Sequence, residues 1–230
     1  MIRINHLTKT YGRARGVTDL TLHVPEGSCF GFIGPNGAGK STTIRTLLGL
    51  LSPTAGTAKV LGLDCAGERE KILAQVGYMP SEAMFYPDMR VAEVIRLSAA
   101  LRRTDCRREA AALCDALELD TRKRIRELSL GNRKKVSIVC AMQHRPRLYI
   151  LDEPTSGLDP LVQRAFWAKL EARRQDGATV FLSSHVLYEV QRYCDRAAII
   201  REGRLVVEGA TAELDIENRF FDYYEGRVKQ

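Results

Sequence analysis

The sequence lacks any hydrophobic run long enough to cross a membrane. A membrane-spanning helix needs roughly 20 consecutive apolar residues, whereas apolar runs such as residues 148–151 and 197–200 are only as long as a β-strand. The first residues, Met1-Ile2-Arg3-Ile4-Asn5, also lack the charged and then apolar layout of a signal peptide. We therefore expect any association with a membrane to run through a partner protein.

The sequence is also poor in features that indicate disulfides or bound metal. No two cysteines have the C-x-x-C spacing, and no cluster of histidines accompanies them. This pattern favours free, buried thiols in a reducing compartment over a disulfide framework or a zinc site. The six cysteines lie at positions 29, 65, 106, 114, 140 and 194.

Charge is unevenly distributed along a chain of otherwise ordinary globular composition, with 45% hydrophobic and 27% charged residues among 230. The net charge is +7, and residues 90–147 hold 15 Lys and Arg against 7 Asp and Glu, so this segment carries all of the excess. A basic surface can bind nucleic acid, anionic lipid or an acidic partner. Solvated helix faces would give the same pattern, and the sequence leaves these alternatives open.

Hydrophobic periodicity predicts alternating strands and helices on both sides of a purely helical block. Alternation of this kind is typical of an α/β fold with a largely parallel sheet. Residues 91–119 are helical in pattern, and a further helix is expected to begin near Ser129. We therefore predict a single domain over residues 1–230, with an α/β core at about 1–84 and 141–230 and an inserted helical subdomain at about 85–140. Strands are expected at residues 2–6, 17–24, 28–33, 58–61, 76–79, 148–151, 179–183, 196–201 and 204–208.

A glycine-rich segment between a predicted strand and a predicted helix matches the phosphate-loop pattern G-x-x-x-x-G-K-[ST]. Glycines allow successive backbone N–H groups to face a polyphosphate, and the helix dipole adds positive potential there. In such loops Lys40 reaches the β- and γ-phosphates and the Ser41 hydroxyl binds Mg²⁺. The segment reads Gly34-Pro35-Asn36-Gly37-Ala38-Gly39-Lys40-Ser41-Thr42.

Two carboxylates follow the strand expected at residues 148–151. In enzymes with a phosphate loop, the aspartate at this strand end holds Mg²⁺, which predicts that role for Asp152. A glutamate after it can act as a general base or polarise the attacking water, which predicts catalysis by Glu153. A polyphosphate and Mg²⁺ are therefore the expected ligands.

Together these motifs make the chain resemble the nucleotide-binding subunits of ABC transporters over nearly its whole length. The segment from Leu151 to Pro160, LDEPTSGLDP, is similar to that family's second phosphate-site strand and the loop after it. The resemblance implies that His185, in Ser183-Ser184-His185, contacts the γ-phosphate. It also implies that Tyr11, which lies 29 residues before Lys40, stacks on adenine.

The segment Leu128-Ser129-Leu130-Gly131-Asn132 stands where the family has its signature, usually L-S-G-G-Q. The resemblance implies that Ser129, Gly131 and Asn132 bind the γ-phosphate held by a second subunit. A serine hydroxyl, free N–H groups and a helix dipole suit an anion. The sequence departs from the family at Leu130, in place of glycine, and at Asn132, in place of glutamine. We expect Leu130 to point away from the phosphate.

A further departure lies after Pro80, where the family places a glutamine that links Mg²⁺ and water to the membrane partner. Ser81 stands at this position, and its side chain is too short to span the same distance. Ser81 is therefore a candidate metal ligand only, with a water or Glu82 as the alternative.

The resemblance implies an ATPase that forms a homo- or heterodimer around ATP and Mg²⁺ and energises a separate transmembrane permease of exporter type. The subunit would lie at the cytoplasmic face of the cell membrane. The alternative is a soluble ABC ATPase that acts on nucleic acid or the ribosome, with the basic segment as its binding surface. We consider nucleic acid the less favoured partner, because the chain has neither a second ATPase domain nor a long coiled coil. A regulator without turnover is a third alternative, and Glu153 and His185 argue against it.

Overall fold

The fold is an α/β arrangement of ten strands and nine α-helices in the described parts of a computed structural model, residues 1–12 and 14–225. The strands are β1 (Ile2–Tyr11), β2 (Ala14–Val24), β3 (Cys29–Ile33), β4 (Ala55–Val60), β5 (Leu63–Asp64), β6 (Val76–Met79), β7 (Leu148–Asp152), β8 (Thr179–Ser184), β9 (Arg196–Arg201) and β10 (Arg204–Ala210). The helices are α1 (Lys40–Leu47), α2 (Arg69–Gln75), α3 (Val91–Leu101), α4 (Arg107–Ala116), α5 (Leu130–Met142), α6 (Pro160–Gln175), α7 (Leu187–Tyr193), α8 (Thr211–Leu214) and α9 (Ile216–Glu225).

The larger sheet has six strands in the order β10-β9-β3-β8-β7-β6. The pairs from β9 to β6 are parallel, and only β10 runs antiparallel to its neighbour. Strands β3, β7 and β8 are buried along their whole length, as expected when both faces of a parallel sheet are covered. Their carboxyl ends lie at one edge of the sheet, so the loops that follow them come together.

Hydrophobic residues pack in two clusters on opposite faces of this sheet. Alternate residues of β7 divide between them: Tyr149 and Leu151 belong to one cluster, and Leu148 and Ile150 to the other. This division is the two-residue period of a strand with both faces buried. The first cluster also takes in residues of α3, α4 and α5, so the helical segment packs directly on the sheet.

A second, antiparallel sheet of order β2-β1-β4-β5 was not predicted from the alternation of elements. Strand β1 continues to Tyr11, whereas the hydrophobic pattern predicted its end at His6. The reason is a local irregularity: His6 has a positive φ of 49°, and the register against β2 shifts beyond Ile4. Such a bulge interrupts the apolar alternation while pairing continues.

The segment 80–147, all of which is described, contains no strand and only an isolated bridge between Arg90 and Arg124. It holds α3, α4, α5 and a 3₁₀ turn at Ile125–Glu127. Helix α5 begins after Ser129, whose hydroxyl accepts a hydrogen bond from the Asn132 backbone N–H at 3.3 Å. This confirms the expected helix start, and serine is a favoured residue at such a position.

The six cysteines are free, as expected, and all but the half-buried Cys140 are buried. Cys29 and Cys194 lie closest to each other among the recorded thiol contacts, with Sγ atoms 3.6 Å apart. Within the described residues, no helix combines the length and the apolar character needed to cross a membrane.

Candidate active site

The carboxyl ends of three strands converge on a cavity of about 290 Å³ at the edge of the larger sheet. The phosphate loop follows β3, Asp152 and Glu153 end β7, and Ser81 follows β6. The sheet therefore brings together groups that are more than 100 residues apart in the chain. The lining residues are Pro35, Asn36, Gly37, Gly39, Lys40, Ser41, Thr42, Ser81, Asp152 and Glu153.

The backbone of the phosphate loop requires glycine at two positions. Gly37 and Gly39 have positive φ angles of 79° and 108°, a region that L-residues with side chains rarely adopt. A Cβ atom on Gly39 would also lie 3.1 Å from a methyl carbon of Val17. Helix α1 then begins at Lys40 with no acidic residue in its first turn. Its free N–H groups and positive dipole end therefore face the cavity as an anion site.

Lys40 is buried and folds back across its own loop. Its Nζ donates to the carbonyl oxygen of Gly34 at 2.6 Å and to that of Pro35 at 3.2 Å. The same Nζ lies 3.3 Å from Glu153 Oε1, and no hydrogen-bond donor to this oxygen is found in the described part of the chain. A buried carboxylate oxygen with only this contact fits a site that is completed by a ligand or by water.

Asp152 is buried between two hydroxyl groups. Ser41 Oγ donates to its Oδ2 at 2.8 Å, and Ser183 Oγ donates to its Oδ1. Hydroxyl and carboxylate oxygens are the ligands that Mg²⁺ prefers, so Ser41 and Asp152 fit this ion. Among the described residues, no group of three or more His, Cys, Asp or Glu could hold a metal. Sequence reasoning did not identify Ser183, which holds Asp152 in place.

Glu153 combines an unusual backbone conformation with a short contact to His185. Its φ is +51°, which costs about 1 kcal/mol or more for a residue with a side chain. Its N–H donates to Ser183, 3.2 Å from both the carbonyl and the hydroxyl oxygen. Glu153 Oε2 lies 2.7 Å from His185 Nδ1. Because a carboxylate only accepts, Nδ1 carries the proton in this contact.

Ser81 lines the cavity, and its backbone oxygen accepts a 2.9 Å hydrogen bond from Lys134 Nζ. Lys134 lies in α5 and is buried. Burial lowers the pKa of this ammonium, against the attraction of Asp152, Glu153 and Glu82. Sequence reasoning did not predict this contact of Lys134. The feature that could have indicated it is a charged residue next to the apolar residues of α5.

The signature residues Ser129, Gly131 and Asn132 do not line this cavity. They lie at the first turn of α5, where Ser129 is exposed and Leu130 is 65% exposed. A Cβ on Gly131 would come within 2.9 Å of the Gly157 carbonyl oxygen, which explains the glycine. Leu130 extends beside Gly157 and is otherwise turned to solvent.

Tyr11 also lies outside the residues that line the cavity. It ends β1 and is 42% exposed, with Lys9 Nζ 5.4 Å from the ring centroid. Its ring borders Gly16, and the Gly16 carbonyl oxygen borders Gly39. Tyr11 is thus close to the phosphate loop, with its side chain partly exposed.

A parallel sheet whose central strand runs through such a loop into a helix defines a class of proteins, the P-loop nucleoside triphosphatases. The paired carboxylates at the end of β7 place the chain in the hydrolytic part of that class. The fold prediction from the sequence is thus confirmed.

Comparison with known proteins identifies the family. The model of the ABC transporter family matches residues 17–156. The chain is 35% identical over 218 residues to the Nod factor export ATP-binding protein I of Paraburkholderia xenovorans, covering 93% of this chain and 72% of that protein. It is 34% identical over 225 residues to the bacitracin transport ATP-binding protein BcrA of Bacillus licheniformis, with 95% and 72% covered.

Among solved structures, the ATP-binding subunit of an ABC transporter superimposes with a TM-score of 0.88 at 32% identity. The match covers 97% of this chain and 94% of that one. The chain belongs to the ABC transporter family. It is a nucleotide-binding ATPase of that family, as the resemblance in its motifs implied.

Proposed function

We propose that the chain is the ATP-hydrolysing subunit of an exporter, that it dimerises around ATP and Mg²⁺, and that it drives a separate transmembrane permease. The observation that carries this proposal is the meeting of Lys40, Asp152 and Glu153 in one cavity, with His185 hydrogen-bonded to Glu153. Both named relatives are ATP-binding proteins of export or transport systems.

Nucleotide binding is assigned to the phosphate loop and Tyr11. The backbone N–H groups of Gly34 to Thr42, except Pro35, which has none, and the Lys40 ammonium would take the phosphates, and the Tyr11 ring would stack on adenine. Ser41 and Asp152 would hold Mg²⁺, with Ser81 as a further candidate. The ion would supply positive charge beside the β- and γ-phosphates.

Hydrolysis is assigned to Glu153 and His185. Glu153 takes a proton from the water that attacks the γ-phosphorus, and the bond to the bridging oxygen breaks to release ADP. His185 orients Glu153 and contacts the γ-phosphate. The ion pair between Lys40 and Glu153 must open first, because the phosphates compete for Lys40 and so release the carboxylate for catalysis.

The signature residues support a dimer because they lie outside the phosphate-loop cavity of their own chain. Ser129, Gly131 and Asn132 expose a helix N-terminus, which suits a phosphate held by another subunit. The partner is either a second copy of this chain or a related subunit.

We also assign two subdomains, a core at about 1–84 and 141–230 and a helical part at about 85–140. Contact with the permease places the subunit at the cytoplasmic face of the membrane. The proposed function does not involve a nucleic acid as partner.

The test of this proposal is Glu153→Gln, which keeps size and hydrogen bonding but removes the base. ATP turnover should fall at least 100-fold, on the order expected for loss of a general base, while ATP still binds. A dimer should then accumulate with ATP and Mg²⁺ in size-exclusion chromatography. Glu171→Gln, an exposed carboxylate on α6, is the matched control. A variant that remains monomeric both alone and with its permease would contradict the dimer.

A further inference from the structure

A buried carboxylate lies directly behind the candidate catalytic pair. Glu189 is on α7, four residues after His185, and is only 7% exposed. Among the described residues, no Lys, Arg or His is recorded within ion-pair distance of it. Burial raises the pKa of this carboxyl group. A buried carboxylate without a cation is costly, so its contacts require an explanation.

Glu189 is hydrogen-bonded to the segment after β7. Thr155 Oγ1 donates to its Oε2 at 2.7 Å. Thr155 is buried and follows Glu153 by two residues. The backbone of Thr155 is held in turn by Gln163 of α6, whose Nε2 donates to the Thr155 carbonyl oxygen at 3.3 Å.

The segment after β7 and the segment after β8 are therefore joined twice. One bridge is His185 to Glu153, at 2.7 Å, with the His185 side chain 56% exposed. The other is Glu189 to Thr155, inside the protein. Hydrogen bonds exposed to water are weak and readily exchanged, whereas a buried bond is stronger and costly to break. The buried bridge therefore fixes the geometry of the exposed one.

We propose that Glu189 is a positioning residue, which holds the segment after Glu153 against the start of α7 so that His185 and Glu153 stay within hydrogen-bond distance. This inference rests on the proposed function, because it concerns the same ATP hydrolysis. Glu189 acts through Thr155 and does not touch the nucleotide. Its loss should lower kcat and leave ATP binding unchanged, because the phosphate loop lies on other elements.

The experiment compares Glu189→Leu, Thr155→Val and the double variant with wild type, by kcat, KM for ATP and Tm. Each single variant leaves one buried polar group without its partner and should lower both Tm and kcat. We expect kcat to fall about tenfold or more, as for small misplacements of reacting groups, with KM changed less than about twofold. In the double variant two apolar side chains face each other, so Tm should recover while kcat stays low.

Two further variants separate positioning from stability. Glu189→Gln should retain most of the wild-type kcat, because its amide oxygen can accept the hydrogen bond that Thr155 Oγ1 donates. Thr211→Val is the matched control: Thr211 is equally buried and donates to the Cys194 carbonyl oxygen at 2.6 Å, at the other end of α7. It should lower Tm and leave kcat unchanged.

The inference is overturned if Glu189→Leu turns over ATP at the wild-type rate, or if kcat follows Tm across all variants, Thr211→Val included. If wild type itself fails to hydrolyse ATP with Mg²⁺ and its partners, the proposed function fails instead. The two failures are thus distinguishable.

Discussion

At the scale of single residues, Lys40 is the buried cation of the phosphate loop, held by two carbonyl oxygens of that loop and by Glu153. Charged hydrogen bonds of this kind contribute about 1.5–3 kcal/mol each. Lys40→Ala should therefore weaken ATP binding by about tenfold or more and abolish turnover. Isothermal titration with ATP and a phosphate-release assay measure the two effects. Lys59→Ala, at an exposed position on β4, is the control, and wild-type hydrolysis by Lys40→Ala would disprove the loop assignment.

His144 gives a second prediction at this scale, in the pH dependence of stability. Burial, and then the nearby Arg102, lower its pKa to about 4, against about 6.5 in an unfolded chain. The unfolded chain thus binds the proton more readily, so stability falls as pH drops from about 6.5 towards 4. Glutamine does not titrate, so His144→Gln should remove on the order of 2 kcal/mol of this loss of stability, a value already reduced for the partial exposure of His144. Denaturant unfolding across that pH range measures it, and parallel curves for the two proteins would contradict it.

At the scale of elements, the sequence predicted the strands and helices that are marked by residues within the element itself. Strands β6 and β9 have their predicted bounds, and α5 begins where Ser129 indicated. The antiparallel sheet was missed because its pairing depends on residues far apart, such as Ile2 with both Val24 and Val60. The contacts of Lys134 with Ser81 and of Glu189 with Thr155 were missed for the same reason. A sequence motif identifies the functional side chains at a strand end. The side chains that hold them in position come from other helices and strands, which the motif does not contain.

The start of α5 gives the prediction at this scale. Leu130 is exposed beside a helix N-terminus where the family has glycine, and Asn132 reaches about 1.5 Å less far than glutamine. Both should loosen the contact across a dimer, so Leu130→Gly with Asn132→Gln should raise the basal turnover of a homodimer severalfold. Single-turnover hydrolysis at saturating ATP measures it. Leu130→Ala with Asn132→Gln avoids the cost of about 1 kcal/mol that glycine brings to a helix. A lower rate in both variants would mean that the two residues are adapted to a different local geometry.

At the scale of the whole molecule, the excess positive charge is concentrated in residues 90–147, a segment separate in sequence from the phosphate loop. Part of it is neutralised locally, since Arg107, Arg122 and Arg126 pair with Asp105, Asp120 and Asp88. Arg102 is half-buried and donates to His144, so it serves the fold. Arg103 and Arg108 are exposed, with no recorded ion pair among the described residues. The remaining charge is therefore available to a partner surface.

The proposed docking on a permease would bring this surface near anionic lipid headgroups or an acidic partner surface. Each basic residue near an anionic membrane contributes about 1 kcal/mol, and salt screens the attraction. Arg96, like Arg103 and Arg108, is exposed and has no ion pair among the described residues. Changing these three arginines together to Gln should weaken association with permease-containing membranes about tenfold or more at low salt, and less at high salt. Co-sedimentation measures this, and ATP binding should not change. Arg3, Lys59 and Lys71 to Gln, also exposed and outside the segment, remove the same charge as a control. An equal loss of membrane association in both triple variants would show that only net charge matters. Retardation of nucleic acid by the wild type in a low-salt gel shift would favour the nucleic-acid alternative instead.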